Sequence, residues 1–225
     1  MKNRELRTFA LIGEEGIQKL NKAKVTVVGV GGVGGQAVEI LARAHISNFV
    51  LIDFDKFDET NLNRQLGSLY SNLGEYKVNV FKKRILDINP DANVQLYTEK
   101  INEENYEKLL QDSEYILDLC DDINAKKLII DYAYYNKKSI ISSMGAGNRI
   151  DISNIKINTL DRTSYCPLAK KLRQSIDKNI QKKTKVCYYE SESSKTNSSV
   201  IGTISYAPAN MGLFIAYNLI KGILK

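Results

Sequence analysis

The sequence predicts an α/β fold: a Rossmann-like, mainly parallel sheet with helices on both faces and a C-terminal extension. Three observations carry that prediction. β-branched apolar runs alternate with helical patterns from residue 25 to about residue 145, a glycine-rich turn joins the first run to the first helix, and Asp53 closes the second run about 20 residues later.

Val25-Thr26-Val27-Val28 reads as the first strand, because four consecutive residues suit a strand buried on both faces. A helix is expected from Val33 to Ala44, where the apolar spacing changes to three and four. Phe49 to Ile52 is the second strand, and Lys77 to Ile88 is a second helix after a polar interval. The alternation continues with a strand at Val94–Tyr97, a helix near Glu103 to Leu110, a strand at Tyr115–Leu117, a helix from Asn124 to Tyr135 and a strand at Ser139–Ser142. After about Gly147 it stops. Glu190 to Ser199 is polar enough to be a mobile loop. Ala207 to Leu224 places Met211, Phe214, Ile215, Leu219 and Ile223 at helical spacing, as a core or dimer-packing helix does.

At 225 residues and 43% hydrophobic, the chain suits one domain. Its expected parts are a helical arm over residues 1–22, a nucleotide-binding core over 23–147 and an extension over 148–225. Met1 to Glu5 carries charge with no apolar run behind it, so neither a secretory signal nor a membrane anchor is expected and the protein should be cytoplasmic. Cys120, Cys166 and Cys187 are odd in number and form no CxxC pair, which argues against a disulfide framework and a four-cysteine zinc site. Between Asp161 and Lys195 nine Lys and Arg face four acids, so most of the formal charge of +6 sits there. That excess fits either a polyanion contact or a solvated surface.

The first strand runs into Gly29-Val30-Gly31-Gly32-Val33-Gly34-Gly35 and then a helix. Such glycines allow a tight turn and close backbone approach, and the helix N-terminus presents free N–H groups to phosphate. Asp53 stands where a carboxylate accepts from ribose hydroxyls. These features alone fit NAD well. Beyond them come Asp55, Asn61, Arg64, Gln65 and Lys77, and cations converging on this site suit a triphosphate better than a dinucleotide, making ATP the expected ligand. After the fourth strand, Asp121 is the expected Mg²⁺ ligand. Its competing role is the N-cap of the next helix, which Asp122 could fill instead.

In this order and spacing, Gly29, Gly31, Gly32, Gly34, Asp53, Asn61, Arg64, Gln65, Lys77 and Asp121 resemble the superfamily of ubiquitin-activating and molybdopterin-synthase-activating adenylyltransferases. Within it, Gly13-Glu14-Glu15-Gly16, Ser142 to Asn148, Cys166 to Lys170 and Gly202 to Ser205 are most similar to the tRNA threonylcarbamoyladenosine dehydratases. The resemblance implies that Asp53 binds the ATP ribose, that Asn61, Arg64 and Lys77 bind the phosphates, and that Asp121 holds magnesium. Arg4 and Arg7 match an arginine pair from which one side chain, assigned here to Arg7, reaches the γ-phosphate of a neighbouring subunit. The implied enzyme is a homodimer that uses ATP to activate the carboxylate of a threonylcarbamoyl-modified adenosine beside the tRNA anticodon as its acyl-adenylate, after which a nitrogen of the same modification closes a ring with formal loss of water, and residues 148–225 serve substrate binding and dimerisation.

Two alternatives remain open at this level. One is activation of the C-terminal carboxylate of a ubiquitin-like sulfur carrier, with Cys166 or Cys187 as a transfer thiol against the favoured reading of both as structural or surface thiols; a sulfur-transfer or cysteine-desulfurase protein is a further candidate partner. The other is a nucleotide-sensing scaffold on a retained fold. His45, the sole histidine, is expected to cap the first core helix or lie exposed rather than catalyse.

Overall fold

The computed structural model describes residues 3–194 and 198–225, so Met1, Lys2, Lys195, Thr196 and Asn197 lie outside the described residues. The elements in chain order are α1 (Leu6–Lys22), β1 (Lys24–Val28), α2 (Gly32–Arg43), β2 (Asn48–Ile52), α3 (Lys77–Ile88), β3 (Asn93–Tyr97), α4 (Tyr106–Leu110), β4 (Tyr115–Asp118), α5 (Ile123–Tyr135), β5 (Ser139–Ser143), β6 (Ile155–Thr159), α6 (Pro167–Ser175), α7 (Lys178–Gln181), β7 (Lys185–Tyr189) and α8 (Tyr206–Leu224). Among the described residues seven strands form one sheet in the order β3-β2-β1-β4-β5-β7-β6, parallel throughout except for β6, which runs antiparallel to β7.

Strand periodicity builds the two halves of the core. Val25 and Val27 of β1 face one layer with residues of α2, α3 and α8. Val28 faces the other, where Leu109, Ile129, Leu172 and Ile180 come from α4 to α7. β1 sits between β2 and β4, so the chain winds outward in both directions from it. A crevice opens outside the carboxyl ends of strands at such a reversal.

The structure departs from the sequence expectations in two places, and it decides between the two roles expected for His45. The sheet does not end with β5, because β6 and β7 continue it beyond Gly147. Val186 to Tyr189 are buried, but they sit in a lysine-rich stretch that hides their strand character. The helix expected near Glu103 begins only at Tyr106, since the Asn102 side chain accepts from the amides of Glu104 and Asn105 at 2.9 and 3.1 Å and holds a turn there. His45 is not exposed: it is 4% accessible, and burial lowers its pKa below the ordinary range. It caps α2 through its backbone, at φ 71°, with its amide bonded to the Ala42 carbonyl and that of Ile46 to Leu41. Among the described residues, no helix is long and apolar enough to cross a membrane.

Candidate active site

The cleft begins where β1 ends. Gly29 turns the chain at φ 87°, and a Cβ there would stand 2.8 Å from the Cys120 amide nitrogen, so both the conformation and the space require glycine. Its amide donates to the Ile52 carbonyl at 2.8 Å, while the Leu119 amide donates to Val28 at 2.8 Å. Three strand ends are thereby fastened together. Asp53, directly after β2, locks the turn: its carboxylate accepts from the Val30 amide at 2.8 Å and the Asp55 amide at 2.9 Å. Burial pushes the Asp53 carboxyl above its ordinary range, against the pull of those amides and of Lys77.

The resulting cleft has a volume of about 450 Å³. Gly29, Gly31, Gly32, Asp53, Asp55, Asn61, Arg64, Gln65, Lys77 and Asp121 all line it. Lys77 opens α3, and its Nζ lies 2.7 Å from Asp55 Oδ2. Arg64 donates to the Thr60 carbonyl at 2.7 Å and to Asn63 Oδ1 at 2.9 Å, which fixes the guanidinium along the wall. Asn61 belongs to a short turn capped by Asp58, so part of its role is to hold that wall. Gln65 Oε1 is buried and has no hydrogen-bond partner among the described residues.

Asp121 and Asp122 separate into different roles. Asp122 caps α5 by accepting from the amides of Asn124 and Ala125 at 2.9 and 3.0 Å, and it pairs with Lys100 at 2.7 Å. The Lys100 hydrogen bond and these amides hold its carboxyl below the usual range. Asp121 is left exposed at the cleft.

Two of the residues expected to bind or act on the nucleotide, Gly34 and Arg7, do not line the cleft. Gly34 is buried against the turn instead, where a Cβ would fall 1.8 Å from the Gly29 carbonyl oxygen. It packs helix on strand. Arg7 is exposed on α1 and is not among the cleft residues. Arg4, by contrast, is tied to its own subunit through the Ile88 carbonyl at 3.1 Å and Asp91 at 3.6 Å.

Sequence reasoning missed a buried cluster next to the cleft. Lys126 Nζ lies 3.1 Å from both carboxylate oxygens of Asp118, and Ser142 Oγ donates to Asp118 Oδ2 at 2.6 Å. The Lys and Asp side chains are fully buried. The available signal was Lys126 itself, a charge in the apolar register of Ile129, Ile130 and Ala133. Phe54, Lys100, Ala146, Gly147, Thr203 and Pro208 complete the walls. Cys166 and Cys187 are buried, as packing thiols are, and Cys120 is partly buried at the cleft with its thiol pushed up by burial.

The sequence matches the ThiF family over residues 2–225. It is 38% identical over 188 residues to a tRNA threonylcarbamoyladenosine dehydratase of Bacillus subtilis, covering 83% of this chain and 74% of that one. The structure resembles the crystal structure of the Escherichia coli tRNA N6-threonylcarbamoyladenosine dehydratase in complex with AMP, with a TM-score of 0.93 and 30% identity over 98% of this chain and 94% of the other. The same E. coli protein in complex with ATP gives a TM-score of 0.92 at 29% identity, with coverages of 98% and 93%.

Proposed function

This chain belongs to the ThiF family, and on that premise we propose that it is an ATP-dependent tRNA threonylcarbamoyladenosine dehydratase. The observation that carries the reading is the convergence of the glycine turn, Asp53, Arg64, Lys77 and Asp121 on one cleft at the strand reversal. The carboxylate of the threonylcarbamoyl group attacks the α-phosphorus of ATP, pyrophosphate departs and an acyl-adenylate forms. A nitrogen of the same modification then attacks the activated carbonyl carbon, AMP leaves and a ring closes with net loss of water. Adenylation replaces an oxide leaving group by AMP and places the nucleophile in the same molecule, so no enzyme nucleophile is needed.

Within this scheme Asp53 accepts from the ribose, and the amides after Gly29 with Asn61, Arg64 and Lys77 hold the phosphates. Lys77 exchanges its Asp55 contact for phosphate oxygen. Among the described residues six carboxylates and four cations line the cleft, so a triphosphate with four negative charges is better accommodated there with a divalent cation. Asp121 would hold Mg²⁺, which binds one or two carboxylates together with phosphate oxygens and water and would neutralise charge during transfer. Residues 148–225 serve substrate binding and dimerisation within the same domain, and a tRNA substrate fits the cytoplasmic location expected from the sequence. Exposed Leu6, Phe9 and Leu11 on α1 support a homodimer.

Lys77→Ala and Asp121→Ala should each lower AMP formation from ATP and modified tRNA by at least about a hundredfold, in line with loss of a transition-state charge contact, while circular dichroism stays unchanged. Normal AMP formation by both folded variants would remove the adenylation assignment.

A further inference from the structure

The loops 144–150 and 198–205 carry the cleft residues Ala146, Gly147 and Thr203. They are cross-tied, since the Asn148 amide donates to the Gly202 carbonyl and the Gly202 amide donates to Asn148 Oδ1, both at 2.7 Å. The next residue, Arg149, is 4% exposed and donates to the Ser191 carbonyl and hydroxyl and, at 3.4 Å, to the Tyr165 carbonyl. A buried guanidinium thus fixes the backbone of Tyr165 to the loop that forms the cleft wall. The Tyr165 side chain is left 58% exposed, and neighbouring Ile150 in the same loop is 71% exposed.

Tyr165 also has a backbone that its side chain disfavours. Its φ is 56°, in the left-handed region that glycine adopts freely and a large aromatic residue rarely does. With most of its surface exposed, the ring is not held in that conformation by burial, and such outliers concentrate at binding sites. Two residues later α6 begins, and it presents Lys170 and Lys171 to solvent. An exposed ring followed by a helix that carries exposed cations suits the capture of unpaired bases, with the ring stacking a base and the cations following the phosphates.

We propose that Tyr165 is a stacking platform for an unpaired base of the anticodon loop of the substrate tRNA, with Lys170 and Lys171 on the flanking phosphates. The proposal rests on the tRNA reading above and adds the surface that presents the loop to the cleft. A paired helix offers no free base face, so duplex RNA gains nothing from the ring. A second copy of this chain is the competing occupant of the same surface.

Binding of an unmodified anticodon stem-loop and of a fully paired RNA of equal length is measured for the wild type, Tyr165→Gly and Tyr165→Phe, alongside AMP titration, thermal melting and sedimentation. Tyr165→Gly suits the left-handed backbone, so its melting temperature, AMP affinity and sedimentation should match the wild type while stem-loop affinity falls about tenfold. Tyr165→Phe should bind the stem-loop as the wild type does, and duplex binding should be equal in all three. Unchanged stem-loop binding by Tyr165→Gly, an equal loss on duplex RNA, or a change in oligomeric state would each overturn the platform while leaving the dehydratase reading intact. A wild-type protein that binds no stem-loop and forms no AMP with modified tRNA would overturn both.

Discussion

At the scale of single residues, the cleft depends on positions where one atom more is one too many. Gly34 lies outside the cleft, yet a Cβ at that position would overlap the Gly29 carbonyl and push the turn out of place. Gly34→Ala should therefore cost about 3 kcal/mol by urea unfolding, the upper part of the range for overpacking, and should weaken AMP binding with no ligand contact removed. A stability and AMP affinity equal to the wild type would show that the turn yields freely. The place of Asp53, Lys77 and Asp121 at the cleft was legible because they follow strands or open a helix, and order along the chain fixes such places. Gly34 was misplaced because a glycine needed for packing and one needed for ligand approach look alike in sequence. The Asp118–Lys126–Ser142 cluster escaped because a residue in a strand, a helix and the next strand meet only once the sheet has formed.

Among elements, α2 and α3 are joined by a charged contact on their packed surfaces. Glu39 Oε2 accepts from Arg84 Nε at 2.5 Å, and its other oxygen accepts from Arg43 Nε at 2.8 Å. Burial raises the Glu39 carboxyl, but the hydrogen bonds from Arg84 and Arg43 outweigh it and the pKa lies below its ordinary 4.5. A carboxyl depressed in the folded state contributes stability that is complete above the unfolded value and is lost as pH falls through the folded one. Glu39→Gln should thus destabilise by about 1 kcal/mol at pH 7, a figure kept small because the arginines are substantially exposed. Below pH 4 the difference should shrink, and urea titrations at both pH values check it. A penalty that stays constant with pH would assign the effect to packing. The parallel strands from β1 to β5 were legible through their apolar runs, whereas β6 was not, since Ile155–Thr159 alternates too briefly among polar residues to stand out.

Across the whole molecule, Arg7 decides whether one chain completes its own site. Arg7 is exposed and stands outside the cleft of its own subunit, as a residue serving a partner's γ-phosphate would. Mixing inactive Arg7→Ala and Lys77→Ala proteins and allowing subunits to exchange should restore about a quarter of wild-type AMP formation, because half the protomers sit in mixed dimers and each such dimer has one complete site. Verified heterodimers without activity would reject a shared site. Placement of Arg7 was beyond sequence reasoning on the residues alone, since a contact across subunits leaves no period or spacing within one chain. The packing of α8 on α2 has a different consequence, in the order of synthesis. α2, which begins at the phosphate turn, leaves the ribosome early, and the helix that covers it, with Met211 and Ile215 inserted and Gly212 against the Val33 carbonyl, follows only after every strand of the sheet. Until then the apolar back of the phosphate helix faces water, so the nascent chain carries its nucleotide motif long before it has a rigid place to hold it.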